Sequence, residues 1–167
     1  MTDPKIMSFE ELQKKIATLK ENRGVDLSTE EDLSIAVMNL ISLEEHFFFS
    51  GAKTGKDEYY KMLNEVREMR KTLLARMIDK TEAESWCISK HLLGTTMRLM
   101  EVGTKLSSDG KEKEAKLMFG FAYKAFNLFF ALRLKIISAS EAKGVLEKEK
   151  PMTFDEIMAK LVDCCKE

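Results

Sequence analysis

The stretch TEEDLSIAVMNLISLEEHFFF, residues 29–49, decides the fold. Leu33, Val37, Leu40, Ile41, Phe47 and Phe48 recur at the three- and four-residue spacing of a helix with one apolar side. Glu30, Glu31 and Asp32 suit the positive end of its dipole, and Ser28 with Glu31 forms a capping box. In the middle of the apolar stripe stands Glu44. Residues 57–78 repeat the pattern, with Leu63, Val66, Leu73, Leu74 and Met77 as the stripe and Arg70 interrupting it. A charge taken out of water is costly unless it is paired. Glu44 and Arg70 therefore either satisfy each other in the interior or serve a group that binds there.

Working outward, residues 50–56 read as a loop. Asp79-Lys80-Thr81 is a short break, and Thr81 with Glu84 caps a third helix that runs to residue 106. Ser107-Ser108-Asp109-Gly110 is the clearest turn, and a fourth helix follows over residues 111–137. Glycine (8) and proline (2) are too scarce to break these stretches further. Short connections between long helices imply antiparallel neighbours. The predicted fold is all-α: an antiparallel up-down-up-down four-helix bundle with short N- and C-terminal helices. It forms one domain, with a short N-terminal helix within residues 1–24, the four-helix core at 28–138, and a charged segment and short C-terminal helix at 139–167. The terminal helices resemble each other, MSFEEL at 7–12 against MTFDEI at 152–157. A twice-used docking element and mere convergence of cap and amphipathic spacing both account for that match.

The fourth stretch is apolar around most of its circumference, with a narrow other face that includes Lys116, Lys124, Asn127, Ala131 and Lys135. Such a helix needs cover on several sides, from the terminal helices or from a second subunit. A homodimer is the expectation, with a further protein partner as a possible use of the same surface. Its charges, Lys124, Arg133 and Lys135 among them, argue against a membrane span at 117–137. The chain's 27 basic and 28 acidic residues nearly cancel, which argues against a nucleic-acid partner. Cys87 stands alone and Cys164-Cys165 are adjacent, which is not a disulfide framework. With no apolar core of signal-peptide length at residues 1–7, the expected location is cytoplasmic.

The polar residues that fall toward the core are Glu44, Arg70, Glu84, His91 and Arg133. A hairpin closed at 50–56 places Glu44 opposite residues 61–63 and Arg70 opposite 36–37, about 10 Å apart in height. Arg133 comes level with the start of the third helix, near Glu84, and His91 comes level with Arg70. Three readings follow: paired charges that fix helix register, an anion site built on Arg70 and Arg133, or a metal site built from Glu44, Glu84, Cys87 and His91. A carboxylate-bridged metal pair wants Glu-x-x-His, but Ile88 and Leu43 stand three before the two histidines. GAKTGKD at 51–57 is one residue short of a phosphate-binding loop and ends in Asp where a hydroxyl is needed. Cys87 with His91 is the only nucleophile and base in reach, and nothing adds an oxyanion site. No catalytic residue and no cofactor is assigned. Ser85, Ser89, Thr96 and Gly103 line the third helix as a seam for close packing. The expected function is a non-catalytic helical-bundle interaction protein, homodimeric. The alternative is a ligand- or metal-binding bundle with a polar interior site around Glu44.

Overall fold

The computed structural model describes residues 26–139 together with Lys14, Ala17 and Thr18. The remainder of the expected N-terminal helix, and all of the charged segment from 140 and the C-terminal helix, lie outside the described residues. Four long helices and no strand occur among the described residues: α1 (Leu27–Thr54), α2 (Asp57–Met77), α3 (Ala83–Ser108) and α4 (Glu112–Arg133).

α1 starts and ends differently from the sequence expectation. Asp26 is the N-cap, not Ser28: its carboxylate accepts from the Ser28 backbone N–H at 3.1 Å and from the Thr29 hydroxyl at 2.8 Å. At the other end the helix runs through the expected loop to Thr54. Gly51 and Ala52 sit within it. The break comes at Gly55, whose φ of 68° places it in the left-handed region while its N–H donates to Gly51 O at 2.8 Å. The hairpin is therefore closed by Gly55 and Lys56 alone.

Between α2 and α3, Ile78 turns extended, and one oxygen of Asp79 accepts from both the backbone N–H and the hydroxyl of Thr81, at 2.8 Å each. Thr81 is thus spent on the turn and does not cap α3. Glu82 occupies the N-cap position and makes no side-chain cap bond. α4 stops at Arg133, four residues short of the expected end. Lys135 adopts a φ of 54°, its ammonium pairs with Glu82 at 2.7 Å, and the turn lays Ile136 and Ile137 against the core.

α1 packs on α2, α3 on α4, and α1 on α3. The core lies in the half of the molecule where Val37, Leu74, Leu93 and Phe129 are fully buried, with Phe129 and Phe130 in edge contact at 5.2 Å. The small-residue seam of α3 does bring α4 close. The Thr96 hydroxyl donates to Leu92 O at 2.9 Å and reaches Ala122 O at 3.5 Å, and a Cβ on Gly103 would fall 2.5 Å from the Phe119 ring. The expected narrow polar face of α4 is corrected: Asn127 and Ala131 are fully buried. Burial changes along α4 rather than around it. Its last third is enclosed on every side, whereas Leu117, Phe119, Phe121 and Tyr123 are exposed.

Candidate functional site: an ion-paired cleft between three helices

Arg70 is 3% exposed. Its Nε donates to Glu44 Oε1 at 2.5 Å and its Nη2 to Glu44 Oε2 at 3.3 Å. The planar guanidinium fork meets both oxygens of one carboxylate, the geometry that arginine and not lysine provides. The expected 10 Å offset does not exist, and the reason is the shorter turn. A Cβ on Gly51 would lie 2.8 Å from Tyr60 Cζ, so these two positions are level. Seven residues along each helix, Glu44 is level with Arg67. Arg70 is then one turn away, about 4.5 Å, and side chains leaning toward their own N-termini close that distance.

Arg133 is also buried, but its partner is Glu30 and not Glu84. Its Nε donates to Glu30 Oε2 at 2.7 Å and its Nη2 to Glu30 Oε1, with both residues under a tenth exposed. Glu30 sits in the first turn of α1 and Arg133 in the last turn of α4, so each also opposes the dipole of its own helix. Sequence reasoning assigned Glu30 only to the dipole. The signal that finds it is spacing: Glu30, Val37, Glu44 and Gly51 stand seven apart on one inward face.

His91 reaches the same cleft as the first pair. Some 490 Å³ opens between α1, α2 and α3, lined by Glu44 and Glu45 of α1, Arg67 and Arg70 of α2, and Lys90, His91 and Arg98 of α3. Gly94 and Thr95 leave room between these larger side chains. Arg98 pairs with Glu45 at 3.4 Å and donates to the Ser42 hydroxyl, tying α3 to α1. Sequence reasoning assigned none of Glu45, Arg67, Lys90 and Arg98 to a site. Each is exposed or half-buried at the rim, so no interruption of an apolar stripe marks it.

Glu84 and Cys87 are exposed on the first turns of α3 and line no part of this cleft. Among the described residues no three His, Cys, Asp or Glu side chains gather closely enough to hold a metal ion. The set Glu44, Glu84, Cys87 and His91 is therefore not brought together. Likewise Arg70 and Arg133 belong to two separate pairs, with Glu44 and Glu30 in different turns of α1, so they do not converge on one anion.

Three carboxyls are held below their usual range. A hydrogen bond from Lys71 does this for Glu68, the Thr81 backbone and hydroxyl for Asp79, and a hydrogen bond from Lys135 for Glu82. Glu31 moves the other way, raised by burial and by the neighbouring Asp32. No described helix is long and apolar enough to cross a membrane. Compared with protein-family models, curated proteins and solved structures, the chain has no significant match in any of the three.

Proposed function

We propose that this chain is a non-catalytic helical-bundle interaction protein that works in the cytoplasm as a homodimer, with its four helices antiparallel in up-down-up-down order. Contacts in reversed order support the helix directions: Gly51 with Tyr60 and Glu44 with Arg70 between α1 and α2, Gly103 with Phe119 and Thr96 with Ala122 between α3 and α4.

One observation carries the dimer. Phe48 and Phe49 on α1 are 50% and 57% exposed, and Leu117 and Phe121 on α4 are 54% and 47% exposed. Arg98 reaches Ser42 and Glu45, so one to two turns further on Phe48 and Phe49 come level with Gly103, which itself meets Phe119. The exposed rings of both helices thus gather at the end of the bundle away from the core. Large apolar side chains clustered at one end mark an interaction surface. Lys113, Lys116 and Lys124 flank Leu117 and Phe121 on α4. Two α4 faces set against each other would oppose those lysines. A two-fold arrangement with α4 of one protomer on α1 of its partner covers both apolar sets and keeps the lysines apart.

Multi-angle light scattering across a concentration series tests this reading. The expected result is a mass near two chains, reduced to one chain by Phe49→Glu or Phe121→Glu. Both side chains are exposed, so neither change removes core packing. A single-chain mass for the unaltered protein at every concentration overturns the proposal.

A further inference from the structure

We propose that the cleft between α1, α2 and α3 binds a compact, multiply charged oxyanion, held by Arg67, Lys90 and Arg98 above the Glu44–Arg70 pair. Four arginines and lysines line the space against two carboxylates, and His91 adds a further basic group. Glu44 is engaged by Arg70 and Glu45 by Arg98, so Arg67 and Lys90 bring two positive charges that no carboxylate of the cleft answers. This local excess stands in a chain whose formal net charge is −1, so composition as a whole does not produce it. The two cations come from different helices, α2 and α3, so an anion held by both would bridge two elements of the cleft. At 490 Å³ the cleft is within the size range of small-molecule sites.

The Glu44–Arg70 fork has a part in this. By holding the buried guanidinium through Nε and Nη2, Glu44 fixes its plane at the base of the cleft and neutralises it, so the net charge that an entering anion meets comes from Arg67 and Lys90. The Thr95 hydroxyl on α3 supplies a neutral donor beside Lys90 and His91. Phosphoryl groups and clustered carboxylates share the chemistry that such an arrangement recognises: several oxygens around a small, highly charged centre. The inference does not depend on the dimer, whose surface lies at the ring-bearing end of α1 and α4.

Isothermal titration calorimetry on the full chain at fixed ionic strength provides the test, with pyrophosphate and citrate as probes and chloride as the control. Saturable binding of one anion per chain is expected for at least one probe. Pyrophosphate alone would point to a phosphoryl ligand and citrate alone to a polycarboxylate. Lys90→Ala and Arg67→Ala should each weaken it about tenfold or more, while Lys113→Ala on α4 should leave it unchanged. None of the three side chains is buried, and unchanged circular dichroism confirms that the variants fold. No saturable heat with either probe overturns the proposal. So does a loss in Lys113→Ala equal to that in Lys90→Ala, since that would reflect bulk charge alone.

Discussion

Glu30 and Arg133, 103 positions apart in the chain, are joined by two hydrogen bonds between the first turn of α1 and the last turn of α4. Both are nearly enclosed, so removing one partner strands the other as an uncompensated charge. Glu30→Ala is expected to lower unfolding free energy by about 3–5 kcal/mol in urea denaturation. The double change Glu30→Leu with Arg133→Leu should recover most of that, because no charge is left behind. A loss below about 1 kcal/mol in the single variant would put the pair in water, against the burial seen here.

Glu44→Ala should cost a comparable amount, about 3–5 kcal/mol, because it leaves Arg70, only 3% exposed, as an uncompensated charge. A double-mutant cycle with Arg70→Met isolates the pairing itself. Coupling indistinguishable from zero would show that the fork contributes nothing to stability.

Stability should also depend on acid. Asp79 and Glu82 have carboxyls held below their usual range, so their contribution is complete above the unfolded-state values and disappears as pH falls through the folded ones. The melting temperature should fall from about pH 5 downward. Glu31, shifted upward, works with the opposite sign. Comparing Asp79→Ala and Glu82→Gln with the unaltered chain separates these effects: both variants should flatten the acid side of the profile. A profile unchanged in either variant would rule that residue out as a source.

Two glycines give a contrast. Nothing stands within 4 Å of a Cβ on Gly120, in the middle of α4, so Gly120→Ala should raise stability by about 1 kcal/mol through helix propensity. At Gly103 the same change must displace the Phe119 ring and loosen the approach of α3 to α4. Thermal melts should rank Gly120→Ala above Gly103→Ala, and the reverse order would deny that close approach.

The helices were legible because long apolar stripes at helical spacing and few breakers leave little choice, and the inward placement of Glu44, Arg70 and Arg133 followed from the same stripes. Their partners and heights were harder. Gly51 looked like a turn residue but remains helical, and only the left-handed Gly55 ends α1. That few-residue difference moves Glu44 from about 10 Å to within reach of Arg70. Glu30 was hidden because an acidic residue at a helix start already has a local explanation in the dipole. Rim residues such as Lys90 and Arg98 carry no pattern of their own, since a charge on a solvated edge looks the same whether or not it faces a cleft. The expected cover for α4 depended on segments outside the described residues, so its exposed rings became visible only in the folded structure.

Sedimentation equilibrium of the full chain, from low micromolar to several hundred micromolar, tests the interaction surface most directly. A reversible rise toward twice the 19.1 kDa chain mass is the expected result. A mass that stays at one chain throughout, with Phe48, Phe49, Leu117 and Phe121 left facing water, would contradict it.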